Sequence, residues 1–252
     1  MNKFNNRGAI LAGGEGTRLK PFTKYLNKHL LPIYDRFMVS FPIETLRSLG
    51  INDICIVTGE KDYTDFKRFI NDGREYAVKI EYRTQTRSKG LADAVYQTRD
   101  FFGDQKVIVI LGDDVFSYIN IPKNSLYDDY AYSVVVPAKG IGIAPHAVAV
   151  PEFDGLGNIT RIDEKPEVPK SEFMVAGFYI FPSDVFEFIK TMKPSKRGEM
   201  EITDITNWYA LNVRLRAIRE AKFVADAGSI DSLLETSLWR RSETKRRIEG
   251  DN

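Results

Sequence analysis

The chain has 252 residues, of which 43% are hydrophobic and 28% charged, and its 36 basic and 35 acidic residues leave a net charge of +1. This length and composition suit one large domain or two small ones with a real hydrophobic core, and the balanced charge gives no reason to expect nucleic acid or an anionic membrane as a partner. The single cysteine, Cys55, excludes an intrachain disulfide and a thiolate metal site, so a reducing, cytoplasmic compartment is expected. The apolar runs are too short for a signal peptide or a membrane span.

Strand-like and helix-like segments alternate through the first half of the chain. The predicted order is a strand at GAILAG, a helix at FPIETLRSLG, a strand at INDICIVTG, a helix at DFKRFIND, a strand at VKIEYR, a helix at LADAVYQTRDFF and a strand at KVIVILGDD. This alternation predicts a mostly parallel, doubly wound sheet of the Rossmann-like α/β class.

The second half is less regular and predicts a mixed sheet. Strands are expected at YSVVVPAKG, HAVAVPEFD, NITRIDEKP, FMVAGFYIF, VRLRAIRE and KFVADAG, with a helix at SDVFEFIKTM that Ser183 would cap. Without a clear linker or repeat, one fused domain over residues 1–239 is expected. Residues 240–252 are predicted to be a basic, solvated helix end or tail that contains Arg240, Arg241, Lys245, Arg246 and Arg247.

The first strand is followed by a glycine-rich loop, GGEGTR, over residues 13–18. It lacks the lysine of a Walker loop and the third glycine of a dinucleotide loop. Glycines still let backbone N–H groups approach an anion, and Arg18 adds a charged fork that suits phosphate oxygens. The loop therefore indicates a site for nucleotide phosphates, the alternative being an ordinary turn. Lys28 would reach the same anion if the chain folds back across the loop.

Aspartates follow two strongly apolar strands. Asp113 and Asp114 end VIVILGDD, and Asp226 ends FVAD. Ligands of open α/β sheets bind at the carboxyl ends of strands, and carboxylates there suit Mg²⁺. Asp113 and Asp226 are therefore predicted to share one metal ion, the alternative being polar turns.

Two further charged clusters have less specific patterns. Glu164 and Lys165 precede a proline in IDEKP, which is typical of a solvated loop, and RGEMEITD is typical of a helix N-terminus. The chain has only two histidines and no serine–histidine signature. A phosphate oxygen attacking a phosphoryl centre would need no base, because a sugar phosphate with a second pKa near ~6 is already a dianion at neutral pH.

Together these motifs resemble those of the sugar nucleotidylyltransferases, most closely the short forms of the glucose-1-phosphate thymidylyltransferase group. They occur in the family's order along nearly the whole chain: GAILAGGEGTRLKPFT, NKHLLPIYDR, GINDICIVTGE, GLADAV, VIVILGDDVF, IDEKPEVPKS, VAGFYIF, KPSKRGEMEITD and ADAGSIDSLLETS. The resemblance implies the nucleotide-diphospho-sugar transferase type of fold, Mg²⁺ as cofactor, and a homo-oligomer, either dimer or tetramer.

The resemblance also implies roles for individual residues. The nucleotide would be bound by Leu11, Ala12, Gly13, Gly14, Gly16, Thr17, Gln85, Gly90 and Asp113, with Gln85 and Gly90 at the edge of a pyrimidine base. The sugar phosphate would be bound by Glu164, Lys165, Gly177, Tyr179, Arg197 and Thr203. Arg18, Lys28, Asp113 and Lys165 would be catalytic, and Asp113 and Asp226 would hold the metal.

Several positions depart from the family's pattern. Pro145, His146 and Ala147 stand where arginine, tyrosine and a glycine beside the sugar are usual, so the identity of the sugar stays open. Asp114 replaces an asparagine, and His29 replaces a glutamine of the longer enzymes. The chain ends soon after LLETS, so feedback control through the regulatory site of the longer enzymes is not expected.

The sequence therefore predicts an enzyme that condenses a sugar-1-phosphate, glucose-1-phosphate or a related hexose, with dTTP or UTP to give a nucleotide sugar and pyrophosphate. Cytidylyl transfer or another sugar phosphate is the nearest alternative. A non-catalytic nucleotide-sugar-binding domain is the alternative from a different class. Such domains tend to lose the loop arginine, the metal aspartate or the sugar-site lysine, which this chain retains as Arg18, Asp113 and Lys165.

Overall fold

A computed structural model of the chain describes residues 6–86, 89–139 and 147–250. Its strands are β1 Arg7–Ala12, β2 Pro32–Ile33, β3 Arg36–Phe37, β4 Asp53–Gly59, β5 Lys79–Gln85, β6 Val107–Leu111, β7 Asp114–Ile119, β8 Ala131–Pro137, β9 Ala149–Phe153, β10 Ile159–Glu164, β11 Phe173–Phe181, β12 Leu215–Ile218 and β13 Ala221–Asp226. Its helices are α1 Ser40–Ser48, α2 Tyr63–Phe69, α3 Leu91–Tyr96, α4 Arg99–Phe102, α5 Val185–Thr191, α6 Ile202–Leu211 and α7 Ile230–Gly250.

A seven-stranded sheet in the order β12-β8-β11-β6-β1-β4-β5 forms the centre of the molecule. β1 runs parallel to β4 and β6, and β4 runs parallel to β5, as the alternating first half predicted. β11 runs antiparallel between β6 and β8, which makes the sheet mixed. The predicted mixed α/β sheet is therefore confirmed.

The sheet is buried on both faces because alternate residues of its strands enter two separate cores. Along β1, Ala9 and Leu11 pack into one apolar cluster, while Ile10 and Ala12 pack into the other. This period of two explains why the central strands are apolar at successive positions. The burial holds the carboxyl ends of β1 and β6 side by side, with Leu11 paired to Leu111, and so brings the loops that follow them together.

A two-stranded ribbon formed by β7 and β13 fixes the position of Asp226. The two strands are antiparallel, and Asp226 is the register partner of Asp114. The sequence did not predict β7 as a separate strand, since Asp114 follows the buried strand β6 after only two residues. This pairing carries Asp226 to the edge of the sheet where Asp113 lies.

Two local predictions differ from the structure. The segment LADAVYQTRDFF forms two short helices, α3 and α4, rather than one. The break lies at buried Thr98, whose Oγ1 donates to Val95 O over 2.6 Å and competes with the regular helical pattern. Ser183 does not cap α5, because Asp184 is the residue that precedes the helix and no side chain forms a cap hydrogen bond there.

The C-terminal helix α7 runs without interruption across residue 240. Arg240, predicted to be solvated, is 6% exposed, and its Nε and Nη2 donate to Asp35 Oδ1 at 3.0 Å and Oδ2 at 3.1 Å. These hydrogen bonds lower the pKa of Asp35 to about 2. The prediction was wrong for this residue because the acids interleaved in the sequence do not reveal that a distant carboxylate neutralises it.

In the described part of the chain, no helix combines the length and apolarity that crossing a membrane would require.

Candidate active site

The glycine loop leaves the carboxyl end of β1 and turns sharply at Gly16. Gly16 has φ +64°, a left-handed conformation that glycine adopts without steric cost, and Thr23 Oγ1 donates to Gly16 O over 2.8 Å. A short 3₁₀ turn, Thr17–Leu19, follows and leaves the Arg18 side chain 62% exposed. The loop therefore presents its backbone and the exposed Arg18 cation to solvent at the edge of the sheet.

Lys28 folds back across this loop. A Cβ at Gly14 would lie 3.3 Å from Lys28 Cε, and one at Gly16 would lie 3.0 Å from Lys28 Cβ, so the lysine stem packs directly on the glycines. Lys28 Nζ is bonded to Asp113 Oδ2, and the two side chains are only 13% and 12% exposed. Burial disfavours both charges, but their attraction outweighs it, raising the pKa of Lys28 and lowering that of Asp113. Both members of the pair are therefore charged, and they lie beside the glycine loop.

Asn27 and His29 hold Lys28 in this position. Asn27 Nδ2 donates to Ala12 O at 3.3 Å and to Asp62 Oδ2 at 2.8 Å. Asn27 Oδ1 accepts from the His29 backbone N–H at 3.0 Å and lies 2.7 Å from His29 Nδ1. All four hydrogen-bonding positions of the amide are used, which fixes the turn onto the end of β1. Asn27 is not among the residues predicted from the sequence, although its position next to Lys28 could have indicated it.

His29 gives a testable dependence of stability on pH. Burial, followed by the positive charge of Lys28, lowers the pKa of His29 to about 3. An unfolded histidine has a pKa of about 6.5, so below that pH the unfolded chain binds a proton that the folded chain excludes. The free energy of unfolding is therefore lost as pH falls below about 6.5, by about 1.4 kcal/mol per pH unit. In His29→Gln, this component of the slope is expected to vanish in urea unfolding measured at several pH values.

The control is built into the comparison, because both proteins keep every other titrating group. His29→Gln can lower stability at all pH values by altering the packing against Gly112, where a Cβ would lie 2.5 Å from the His29 ring. Only the change in slope reports the buried neutral imidazole. Parallel curves for the two proteins would contradict the assignment.

Three carboxylates meet at the carboxyl edge of the sheet. Asp113, Asp114 and Asp226 each offer an oxygen, and these oxygens lie within 4.8 Å of one another. Asp114 Oδ2 accepts from the Gly177 N–H at 2.5 Å. Burial, with the neighbouring charges of Asp113 and Asp226, raises the pKa of Asp114 well above its usual value. Asp114 therefore links the acidic cluster to β11, while the Asp113 and Asp226 side chains remain 12% and 25% exposed.

The space between Asp113 and Asp226 fits a small hard cation. Arg18 Nη2 lies 3.1 Å from Asp226 Oδ2, and the Gly228 N–H donates to Asp226 Oδ1 over 2.8 Å. A Cβ at Gly228 would lie 2.5 Å from Asp226 Oδ1 and 3.1 Å from Asp113 Oδ2, so only glycine keeps this space open. Two carboxylates with room for further oxygen ligands are the donor set that Mg²⁺ prefers. Gly228 was missed by the sequence analysis.

Gln85 and Gly90 lie beside the glycine loop. Gln85 Nε2 donates to Asp93 Oδ2 at 2.7 Å and to Gly90 O at 3.2 Å, and a Cβ at Gly13 would lie 3.0 Å from Gln85 Oε1. Gly90 has φ +101°, and a Cβ there would lie 2.5 Å from Met200 O. The buried amide of Gln85 is thus fixed with its oxygen toward the loop. Asp93, its partner, is a further residue that the sequence analysis missed.

Four of the predicted sugar-phosphate residues gather around the Glu164 carboxylate. Thr203 Oγ1 donates to Glu164 Oε2 over 2.6 Å, while Arg197 Nη1 and Lys165 Nζ lie 3.7 Å and 4.0 Å from Glu164 Oε1. Lys165 has φ +48° immediately before a proline, a strained conformation of the kind that concentrates at functional sites. Two cations therefore lie beside Glu164, and Arg197 also pairs with Glu199 at 2.9 Å and Glu201 at 3.7 Å.

Gly177 and Tyr179 join this cluster to the aspartates. Both lie on β11, where the pairing with β8 shifts register between Ala176 and Tyr179. Tyr179 is buried, and burial, followed by the charges of Asp114 and Glu164, raises the pKa of its hydroxyl. The Asp114–Gly177 hydrogen bond and the Tyr179 ring therefore connect the two halves of the site.

Pro145 and His146, two of the positions that depart from the family pattern, lie outside the described residues.

The site thus combines carboxylates paired with cations beside a glycine-rich loop and a second group of cations, Lys165 and Arg197, around Glu164. The model of the family described as Nucleotidyl transferase matches residues 7–242. The chain belongs to this family.

The relatives narrow the comparison to enzymes of sugar nucleotides. The chain is 36% identical over 238 residues to the glucose-1-phosphate thymidylyltransferase of Mycolicibacterium smegmatis, covering 94% of this chain and 82% of that protein. It is 38% identical over 207 residues to the enzyme of that name from Neisseria gonorrhoeae, covering 81% of this chain and 70% of the other.

Solved structures show the same architecture. A Bacillus anthracis protein assigned as a glucose-1-phosphate thymidylyltransferase and crystallised with sucrose superposes with a TM-score of 0.82 at 36% identity, over 93% of this chain and 95% of the other. A UDP-glucose pyrophosphorylase in complex with UDP-glucose superposes with a TM-score of 0.80 at 26% identity, over 94% and 98%.

Proposed function

We propose that this chain is a Mg²⁺-dependent sugar-1-phosphate nucleotidylyltransferase. It condenses a hexose-1-phosphate, glucose-1-phosphate or a close relative, with dTTP or UTP to give a nucleotide sugar and pyrophosphate. The observation that carries the proposal is the double ion pair at the sheet edge, in which Lys28 meets Asp113 and Arg18 meets Asp226. The identity of 36–38% to thymidylyltransferases supports dTTP ahead of UTP.

The ion pairs suggest how substrate binding prepares the site. Asp113 and Asp226 would hold Mg²⁺, which would supply positive charge to offset that of the phosphates. When the triphosphate binds, Lys28 and Arg18 would exchange these carboxylates for its phosphates, since the Lys28 stem already packs on the glycine loop. The same phosphates are lined by the backbone of Leu11 and Ala12 at the end of β1 and of the loop residues Gly13, Gly14, Gly16 and Thr17, with Gln85 and Gly90 at the base.

The sugar phosphate binds at the second cluster, around Glu164. Lys165 and Arg197 hold its phosphate, while Glu164, Gly177, Tyr179 and Thr203 contact the sugar. A phosphate oxygen of this dianion attacks the α-phosphorus in line, the new P–O bond forms, and the bond to the β-phosphate oxygen breaks to release pyrophosphate. No general base is required, because the attacking oxygen carries its charge at neutral pH. Catalysis rests on alignment and on cations that offset the charge of the transition state.

The remaining proposals follow from the family. The chain acts in the cytoplasm as a homo-oligomer, with the two substrates as its small-molecule partners. UTP is kept as a second nucleotide because the UDP-glucose pyrophosphorylase superposes at a TM-score of 0.80. Other hexose-1-phosphates are included in the test because Ala147 stands where the family has a glycine beside the sugar.

A grid of nucleoside triphosphates and sugar-1-phosphates tests the function by pyrophosphate release. We expect turnover with Mg²⁺, greatest for dTTP or UTP with glucose-1-phosphate or a related hexose-1-phosphate, and none with EDTA. Turnover only with CTP would support the cytidylyl alternative. If no pair turns over, although calorimetry shows that a nucleotide sugar binds, the chain is a binding domain and the enzymatic proposal fails.

A further inference from the structure

The side-chain amide of Gln85 lies at the carboxyl end of β5, next to the glycine loop. Gln85 is the last residue of that strand, the register partner of Gly59, and only 6% exposed. A Cβ at Gly13 would lie 3.0 Å from Gln85 Oε1, so the amide oxygen faces the loop. An amide has two donors on its nitrogen and an acceptor on its oxygen, so its orientation determines what it can recognise.

Both donors of this amide are already used. Gln85 Nε2 donates to Asp93 Oδ2 at 2.7 Å and to Gly90 O at 3.2 Å. A carbonyl and an ionised carboxylate can only accept, so turning the amide over would set its oxygen against two acceptors. In the described part of the chain, no group donates to Gln85 Oε1. The amide is therefore held with an unused acceptor toward the loop.

Asp93 is the stronger of the two groups that hold the amide in this orientation. Its carboxylate accepts at the shorter distance, whereas the neutral Gly90 carbonyl also accepts from the Ala94 N–H at 3.3 Å. An aspartate in the first turn of α3 is favoured by the helix dipole alone. Within the described residues, however, the Asp93 side chain makes no hydrogen bond except the one from Gln85. Its carboxylate therefore acts on the amide and not on the helix backbone.

A fixed acceptor distinguishes pyrimidine bases by what their edges offer. Atom N3 of uracil and of thymine carries a hydrogen and donates, whereas N3 of cytosine carries a lone pair and accepts. Gln85 Oε1 can accept from the first two bases but would face the lone pair of the third, whose amino donor lies one position further along the edge. A site built around such a hydrogen bond rejects an analogue that leaves its buried groups unpaired.

We propose that Asp93 is a positioning residue that sets the base specificity of the nucleotide site. By holding Gln85 with its oxygen toward the base, it makes the site accept uracil and thymine and reject cytosine. The proposal rests on the function proposed above, in which Gln85 lies at the base, and it excludes the cytidylyl alternative. It does not separate dTTP from UTP, because both bases present the same N3–H.

The test is the ratio of kcat/KM for UTP to kcat/KM for CTP, measured with Mg²⁺ and the preferred sugar-1-phosphate. These nucleotides share their ribose and triphosphate, so the ratio isolates the base. In Asp93→Asn the new amide can donate to Gln85 Oε1 as well as accept from Gln85 Nε2, so Gln85 is free to turn over. We expect the ratio to fall by about tenfold or more, the equivalent of one hydrogen bond, while circular dichroism shows a folded protein.

Two further variants separate the orientation of Gln85 from a merely structural role. Asp93→Glu keeps a carboxylate that can only accept, so it should retain more of the ratio than Asp93→Asn does. Asp100→Asn is the matched control and should keep the wild-type ratio, because Asp100 is an exposed residue in the first turn of α4. A structural aspartate would lower kcat/KM for both nucleotides by the same factor, and that result would overturn the proposal. So would a wild type that does not distinguish UTP from CTP.

Calorimetry keeps this test separate from the test of the proposed function. The dissociation constants for UTP and CTP need no turnover, and their ratio should change in Asp93→Asn as the kinetic ratio does. A chain that releases no pyrophosphate but shows this change would overturn the proposed function and leave the base specificity standing. Turnover with UTP at a ratio that Asp93→Asn leaves unchanged would do the reverse. Turnover with CTP alone would overturn the role of Asp93 and leave nucleotidyl transfer standing.

Discussion

Asp113→Asn is expected to abolish pyrophosphate release while the protein stays folded. The change removes one of the two carboxylates proposed to hold Mg²⁺ and leaves an amide of the same shape. Losing a group that stabilises transition-state charge costs about 10³-fold in kcat. Turnover is measured in the presence of Mg²⁺, metal binding by calorimetry, and folding by circular dichroism with thermal unfolding.

The buried ion pair requires a second variant. Asp113→Asn leaves Lys28, whose side chain is 13% exposed, without its counter-ion, so some loss of Tm is expected. Asp226→Asn avoids this problem, because its partner Arg18 is 62% exposed. Both variants should lose Mg²⁺ binding, whereas Asp104→Asn, on the exposed turn after α4, should retain it. Near-normal turnover in either site variant would contradict the metal assignment.

Gly228→Ala is expected to disable the site without changing any charged residue. Its Cβ would lie 2.5 Å from Asp226 Oδ1, 2.7 Å from Arg18 Nη2 and 3.1 Å from Asp113 Oδ2. The methyl group would displace the Asp226 carboxylate and crowd that of Asp113, and a misplacement of about 1 Å costs about 10²-fold in rate. Mg²⁺ affinity and kcat should fall together, as measured by calorimetry and by pyrophosphate release.

The control for this variant is another glycine. Gly155 has open space around its Cβ position and no positive φ, so Gly155→Ala should leave turnover and metal affinity unchanged. Gly228 also lacks a positive φ, so its replacement strains contacts rather than the backbone. A Gly228→Ala enzyme with the kcat and Mg²⁺ affinity of wild type would show that the cation does not occupy this space.

Much of the fold could be predicted from local patterns. The apolar strands β1, β4, β5 and β6 and the glycine loop were identified from the sequence. Hydrophobic periodicity, turn residues and the apolar runs of strands buried on both faces can all be read from neighbouring residues. The break between α3 and α4 was missed, since it depends on the Thr98 hydroxyl, whose bond to Val95 O no periodicity reveals.

The site was predicted less completely, and the omissions share a cause. Asn27, Asp93 and Gly228 act through neighbours: Asn27 fixes the turn that carries Lys28, Asp93 orients Gln85, and Gly228 keeps space between carboxylates. Their residue types are unremarkable in sequence, because hydrogen-bond partners and free space are properties of the folded chain.

By itself, the sequence determined the strands, the glycine loop and which side chains carry charge at strand ends, because those features depend on neighbouring residues. Only the tertiary structure decided that Lys28 lies over the loop, that Asp226 meets Asp113 through the β7–β13 register, and that Arg240 is buried against Asp35. These pairings join residues far apart in the chain. They depend on burial and strand register, which are settled only when the whole core packs.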